Sequence, residues 1–150
     1  MAFSPDGKVL ASGGADGMVR LWDLATHRQI GLPLVGHTDV VESVAFSPDG
    51  KVLASGGADN TVRLWDLATH RQIGLPLAGP SPTSGLGSVA FSPDGKTLAG
   101  GGTDGTVRLW DVAYLVDIVP HLCARLARFH NRAEWERYIP PGPAYPNLCP

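Results

Sequence analysis

Three residues near the middle of the chain are of the types that a serine hydrolase uses. Ser55, His37 and Asp59 supply a hydroxyl, an imidazole and a carboxylate, which can act as nucleophile, base and orienting group. Such a serine usually occupies a sharp turn with the pattern Gly-x-Ser-x-Gly between a strand and a helix. No such turn surrounds Ser55. The trio therefore needs a structural interpretation as well as a catalytic one.

Other candidate binding residues are better explained as turns. Gly95-Lys96-Thr97 resembles the end of a phosphate-binding loop, but Ala90 stands where the first glycine of that motif would fall, and a strand follows instead of a helix. Gly100-Gly101-Gly102 is typical of a turn. His27 and His70 occupy equivalent hairpin turns, and we expect solvated residues there, not metal ligands. We therefore predict no catalytic residue, no metal site and no cofactor.

These residues belong to a repeat with a period of about forty residues. The phrase FSPDGK begins at Phe3, Phe46 and Phe91, and each copy leads to the phrase VRLWD. Copies one and two are almost the same, and only three positions differ: Gly17/Asn60, Met18/Thr61 and Val35/Ala78. Near-duplicate units do not naturally supply the single asymmetric pocket of an enzyme. They are typical of proteins that build a surface.

Each repeat predicts four short antiparallel strands. In copy two, residues 44–46, 51–55 and 61–65 are rich in β-branched and aromatic residues and are separated by turn sequences. A fourth, weaker strand is predicted over 71–77, where Pro76 cannot donate a hydrogen bond and so belongs at a sheet edge. Four antiparallel strands of this length form one blade of a β-propeller.

The repeats predict an all-β fold, a partial propeller of three four-stranded blades, the first and last incomplete, with a short helical C-terminal tail. The blades cover about 1–36, 37–79 and 80–112. Met1 stands where copy two has Val44, which indicates a start within a longer repeat array. Propellers use about four to eight blades. We therefore expect either the C-terminal part of a longer array or a chain that completes a ring by self-association.

Residues 113–150 predict a helical, Pro-rich tail that caps the last blade. Leu122, Leu126 and Phe129 recur at helical spacing and form an apolar stripe. Trp135 and Tyr138 follow on a second short helix. We expect these two aromatic residues to pack the tail against the propeller, and a partner-binding patch is the alternative.

Cysteine usage and composition limit the function classes further. Cys123 and Cys149 could form a disulfide that fastens the tail, but the default in a reducing cytoplasm is two free thiols. The net charge of −2 does not favour nucleic-acid binding. No apolar run is long enough to span a membrane, and the N-terminus is unlike a secretory signal. We therefore predict a cytoplasmic protein.

Several phrases together resemble the WD-repeat β-propeller family. They are Gly36-His37, Phe46-Ser47-Pro48-Asp49-Gly50, Leu53-Ala54-Ser55-Gly56, Asp59 and Leu64-Trp65-Asp66. The resemblance covers roughly residues 1–112. The phrase Arg71-Gln72-Ile73-Gly74 and the tail phrase that ends at Tyr138 look like bacterial, and specifically actinobacterial, members. In those proteins, repeat arrays often follow a P-loop NTPase or kinase module.

The resemblance implies a structural hydrogen-bond tetrad formed by His37, Ser55, Asp59 and Trp65. The matching residues are Ser12, Asp16 and Trp22 in copy one, and Asp104 and Trp110 in copy three. In copy three, Gly100 replaces the serine and Pro80 replaces the histidine. Because the family places this trio behind the tryptophan, the structural interpretation outweighs the hydrolase one.

The sequence therefore predicts a non-catalytic scaffold for protein–protein interaction, with a partner that it does not identify. The alternative is the sensor or regulatory C-terminal part of a larger signal-transducing P-loop NTPase or protein kinase. A stand-alone hydrolase has only the Ser55 trio in its favour.

Overall fold

A computed structural model of the chain describes residues 1–79 and 85–115, and these contain one antiparallel sheet per repeat. Blade one contains β1 (Ala2–Phe3), β2 (Val9–Gly13), β3 (Met18–Asp23) and β4 (Arg28–Val35). Blade two contains β5 (Val41–Phe46), β6 (Val52–Gly57), β7 (Thr61–Asp66), β8 (Arg71–Gln72) and β9 (Leu77–Ala78). Blade three contains β10 (Leu86–Phe91), β11 (Thr97–Gly102) and β12 (Val107–Asp111).

Neighbouring strands in each sheet follow one another along the chain. This meander topology and the nearly complete lack of helix among the described residues confirm the predicted all-β fold class. The contacts divide the chain between Val112 and Ala113. Beyond that point only Ala113–Leu115 is described, as a short 3-10 turn. The predicted tail helices, Cys123 and Cys149 lie outside the described residues.

Two predicted strands differ from those in the structure. The first strand of blade two begins at Val41 instead of residue 44, because Val41 pairs with Gly57 of β6. The Val41 N–H also donates to Gly14 O of blade one at 3.0 Å. The fourth strand was predicted as one segment, but β8 and β9 are separate and both pair with β7. The chain turns between them at Gly74, whose φ is +64°.

The recurring Ser-Pro-Asp-Gly phrase closes the turn between the first two strands of every blade. In blade two the Ser47 hydroxyl donates to Asp49 Oδ1 at 2.6 Å and accepts from Val52 N–H at 3.0 Å. Ser4 and Ser92 donate to the matching aspartates of their own turns at the same distance. One hydroxyl and one carboxylate thus satisfy the amide groups of a tight reversal. This explains why the phrase is repeated.

The hydrophobic core lies between successive blades. Strand residues alternate between the two faces of a sheet, so Val19 and Leu21 of blade one point towards blade two. They belong to one buried cluster with Val44, Leu53 and Trp65 of blade two. Each blade therefore has a forward face, which packs on the following blade, and a rear face, which packs on the preceding one.

The turn between β11 and β12 contains a glycine at which backbone strain can be tested separately from steric clashes. Gly105 has a φ of +82°, and a Cβ at this position would meet no atom within 4 Å. Asn60 occupies the matching position of blade two with a φ of +57°. Gly105→Ala should destabilise the protein by about 1 kcal/mol, because alanine disfavours the left-handed region.

Gly105→Asn is the matched control and should cost less, because asparagine tolerates a positive φ. Urea unfolding midpoints of the two variants measure the difference. If alanine were tolerated as well as asparagine, backbone strain at Gly105 would not limit the stability of this turn.

Candidate functional site

The Ser55 trio comes together in blade two and is joined by Trp65. His37 lies in the loop between β4 and β5, Ser55 lies on β6, and Asp59 lies in the turn between β6 and β7. Trp65 lies on β7. This strand pairs with β6, so that Trp65 stands opposite Leu53 and Arg63 stands opposite Ser55. The four side chains therefore join two neighbouring strands to the loop that enters the blade.

The four side chains form one continuous chain of hydrogen bonds. Trp65 Nε1 is 2.8 Å from Ser55 Oγ, and Ser55 Oγ is 2.8 Å from His37 Nε2. His37 Nδ1 is 3.0 Å from both carboxylate oxygens of Asp59. All four distances lie in the normal range for hydrogen bonds.

With a neutral imidazole, the chemistry of the end groups fixes the direction of this chain. An indole N–H can only donate, and an ionised carboxylate can only accept. Trp65 therefore donates to Ser55, the Ser55 hydroxyl donates to His37 Nε2, and His37 Nδ1–H donates to the Asp59 carboxylate. A neutral imidazole satisfies both of its neighbours in this arrangement.

Asp59 also closes the turn and the loop on either side of it. Its carboxylate accepts from the Thr38 amide at 3.0 Å, the Thr61 amide at 3.1 Å and the Thr61 hydroxyl at 2.8 Å. Burial raises the pKa of Asp59, but the hydrogen bonds from Thr38, Thr61 and His37 outweigh it, so the pKa lies below its usual value.

The distances within the trio resemble those of a hydrolase triad, but its surroundings do not. Ser55 is 0% exposed and Trp65 is 2% exposed. The Ser55 hydroxyl already accepts from the indole and donates to the imidazole. A nucleophile must reach a substrate carbonyl, and this oxygen is closed off behind the tryptophan.

The matching residues of blade one form only part of such a chain. Trp22 Nε1–H donates to Ser12 Oγ at 2.9 Å. Asp16 instead pairs with Arg20 at 2.6 Å and accepts from the Met18 amide at 3.2 Å. These residues are more exposed than those of blade two.

In blade three, a tryptophan ring packs where the serine side chain lies in blade two. A Cβ at Gly100 would lie 2.7 Å from the Trp110 ring, so the indole fills the space that a serine side chain would need. Asp104 accepts from the Thr106 amide at 3.0 Å and from its hydroxyl at 2.5 Å. Arg108 lies 5.9 Å from the centre of the Trp110 ring. Pro80 lies outside the described residues.

A comparison with known families agrees with this architecture. The WD40 family model, described as "WD domain, G-beta repeat", matches residues 1–23, 29–66 and 76–111. The chain belongs to the WD40 family. WD40 repeats generally act as scaffolds for protein–protein interaction and are typically non-catalytic.

Between the first two WD40 blades lies a cavity of about 280 Å³ that the sequence did not predict. Leu21 and Ile30 of blade one and Phe46 and Leu67 of blade two supply its apolar lining. Its lining comes from segments far apart in the sequence. The only indication of this cavity in the sequence is the repeat itself, because the repeat places the same turn of each successive blade at one end of the propeller.

The rim of the cavity is polar. Asp6, Asp49 and His70 line it, and the His70 ring lies against Gly31, where a Cβ would be 3.0 Å from Nδ1. His70 and His27 both have a positive φ, 55° and 56° respectively. The two histidines thus occupy the same turn in successive WD40 repeats, but only His70 lines this cavity.

The described part of the chain shows neither a cluster of metal-ligand residues nor a membrane-spanning helix. Within residues 1–79 and 85–115, no three side chains of the His, Cys, Asp or Glu type are grouped to hold a metal ion. None of the helices described there is long and apolar enough to cross a membrane.

The hydrogen-bond chain predicts a large effect for the removal of its carboxylate. Asp59→Ala would leave His37 Nδ1–H and the Thr38 and Thr61 amides without their acceptor. Because the His37 and Asp59 side chains are only 0% and 6% exposed, the cost should be about 1–3 kcal/mol. Urea unfolding measures it.

Asp16→Ala is the matched control, because Asp16 is the same repeat position in blade one and forms an exposed pair with Arg20. It should cost clearly less than Asp59→Ala, because an exposed ion pair contributes little to stability. Equal costs for the two variants would contradict a structural role for the blade-two chain.

The pKa of Asp59 predicts how this contribution depends on pH. Its folded pKa lies below the ordinary value of 3.8. The stabilisation is therefore complete above 3.8 and is lost as the pH falls through the folded pKa. The gap in unfolding free energy between the wild type and Asp59→Asn should be constant near neutral pH and narrow below 3.8. A gap that widens on acidification would contradict the sign.

Proposed function

We propose that the WD40 repeats form a non-catalytic scaffold that binds a partner protein at the end of the blades that carries the cavity. The main support is that the only hydrolase-like trio in the described residues is buried and fully hydrogen-bonded. Its polar groups hold loops together and have no access to a substrate. The surface of the turns is therefore the part of the repeats that remains to bind a partner.

We call the end of the blades formed by the Ser-Pro-Asp-Gly turns the turn end. It contains the turns at residues 4–7, 47–50 and 92–95, together with the turns that carry His27 and His70. Because each Ser-Pro-Asp-Gly turn is held by the same serine–aspartate pair, successive blades present the same groups in a row. Such a row suits a partner segment that contacts several blades at once.

The cavity suggests the chemistry of this partner. Asp6 has a lowered pKa, chiefly because the Ser4 hydroxyl donates to it. Burial raises the pKa of Asp49, but the hydrogen bonds from the Ser47 hydroxyl and the Lys51 amide and the charge of Lys51 together outweigh it, so the pKa lies below its usual value. Two ionised carboxylates above an apolar lining suit a side chain with an aliphatic stem and a positive end. Lys8 and Lys51 lie 3.9 Å from these carboxylates and are largely exposed, so they can move aside.

A matched pair of histidines tests this proposal. Peptides that bind the full chain are selected from a displayed library. The affinities of these peptides are then measured for the His70→Asn and His27→Asn variants. Asparagine suits the positive φ of both turns. Peptides bound at the cavity should lose about tenfold in affinity with His70→Asn, which removes a lining side chain, and keep it with His27→Asn. Equal effects of the two variants would exclude the cavity as the binding surface.

We also propose a bacterial, actinobacterial origin, a cytoplasmic location and a place at the C-terminal end of a longer repeat array. The support is the resemblance of Arg71-Gln72-Ile73-Gly74 and of the Arg132-to-Tyr138 phrase to such members. A P-loop NTPase or kinase module encoded upstream in the same reading frame would assign the scaffold a regulatory role. An upstream stop codon would contradict the longer array.

We further propose that residues 113–150 cap blade three. In the described residues no fourth strand pairs with β12, whereas β3 and β7 each have such a partner. An uncovered strand edge promotes aggregation. A chain truncated after Val112 should therefore aggregate when its light scattering is measured against the full chain. Equal solubility and stability would leave Trp135 as a candidate partner site instead.

A further inference from the structure

The cavity between blades one and two lies where two Ser-Pro-Asp-Gly turns touch each other. A Cβ at Gly50 of blade two would lie 3.6 Å from Cδ of Pro5 of blade one, which is van der Waals contact. Asp49 precedes Gly50 and Asp6 follows Pro5 in the sequence, and both side chains line the cavity. Each blade therefore supplies one carboxylate to the same rim.

Each carboxylate uses one of its two oxygens to hold its own turn. Asp6 Oδ1 accepts from the Ser4 hydroxyl at 2.6 Å and from the backbone amide two residues further on at 3.1 Å. Asp49 Oδ1 accepts from the hydroxyl and the amide at the matching positions, at the same two distances. Among the described residues, neither Oδ2 atom has a hydrogen-bond donor. The rim thus keeps one open acceptor from each blade.

The two lysines of these turns do not fill the open acceptors. Lys8 Nζ and Lys51 Nζ lie 3.9 Å from Asp6 Oδ2 and Asp49 Oδ2 respectively, which is too far for a hydrogen bond. The lysine side chains are 80% and 82% exposed. Each lysine thus stays in the solvent beside its own carboxylate, and the acceptors remain accessible to another donor.

We propose that the cavity binds an arginine side chain of the partner protein, with its guanidinium hydrogen-bonded to Oδ2 of Asp6 and Oδ2 of Asp49. This inference rests on the proposed function and names the side chain that the cavity selects. A guanidinium carries five N–H donors in one plane, so it can donate to two carboxylates at once. An ammonium is a compact and more strongly hydrated charge, and it leaves water less readily.

The remaining lining suits the rest of an arginine side chain. Ile30 of blade one and Phe46 and Leu67 of blade two supply apolar surface below the carboxylates, along which the three methylene groups can lie. The ring of His70 completes the rim, and a planar guanidinium can stack on an aromatic ring. The cavity therefore matches both the apolar stem and the charged end of arginine.

Nuclear magnetic resonance of the isotope-labelled full chain tests the proposal with defined probes. The probes are the Nα-acetyl methylamides of arginine, lysine and citrulline, which is the uncharged analogue of arginine. Arginine should shift the amide signals of Gly50 and His70 and should bind about tenfold more tightly than lysine, because only its guanidinium spans both acceptors. Citrulline should not bind, because it has no charge to offer the two carboxylates.

Three aspartate variants test where arginine binds. Asp6→Asn and Asp49→Asn should each weaken arginine binding by about tenfold. Asparagine keeps the Oδ1 acceptor that holds the turn but replaces the open Oδ2 by an NH₂ donor. The matched control is Asp94→Asn, because Asp94 makes the same Oδ1 hydrogen bonds in the turn of blade three and is not part of the lining of this cavity. This control should leave the affinity unchanged.

Several results would overturn the proposal. They are equal affinities for arginine and lysine, binding of citrulline as tight as that of arginine, and no binding of any probe. An equal loss of affinity with Asp94→Asn would also overturn it, because the effect would then not depend on the cavity.

Failure of this inference can be distinguished from failure of the proposed function. Selected peptides that discriminate His70→Asn from His27→Asn, but keep their affinity when arginine is replaced by lysine, would support the partner-binding cavity and contradict the choice of arginine. Conversely, specific binding of the arginine probe together with peptides that ignore His70→Asn would support the arginine site and contradict the cavity as the partner-binding surface.

Discussion

The hydrogen-bond chain from Trp65 to Asp59 is the interaction on which the described structure depends most. It joins β6, β7 and the loop that enters blade two. Asp59 also accepts from the amides on both sides of this junction. The loop from blade one is thereby fixed to blade two, and the packing between their faces follows from it. A buried chain of this kind is stable only when every member has a partner.

The outer blades lack members of this chain in the described residues. Blade one keeps the bond between Trp22 and Ser12, but its Asp16 pairs with an arginine at the surface. Blade three fills the serine position with the ring of Trp110. Among the described residues, only blade two contains the histidine, serine, aspartate and tryptophan together, and only there is the network complete. The turn end remains as the surface that we propose for binding.

Much of the fold could be predicted because its signals are local. The phrases around Ser47 and Trp65 specify a turn and a strand by their own residues, and their repetition gives the architecture. The start of β5 at Val41 was missed because it depends on the pairing of Val41 with Gly57 of β6, a contact that the residues around Val41 do not reveal. The cavity was missed for the same reason, since its lining joins residues such as Ile30 and His70. The sequence of a single repeat does not specify the contacts between blades.

Hydrogen exchange of the tryptophan indole protons tests the central claim most directly. Nuclear magnetic resonance can follow each indole N–H of labelled protein, with the four tryptophans assigned by replacing each with phenylalanine. A complete, buried chain predicts that the Trp65 indole proton exchanges far more slowly than that of Trp22, which has the same serine partner but no histidine and is less buried. A Trp65 proton that exchanges as fast as the Trp22 proton would contradict the account.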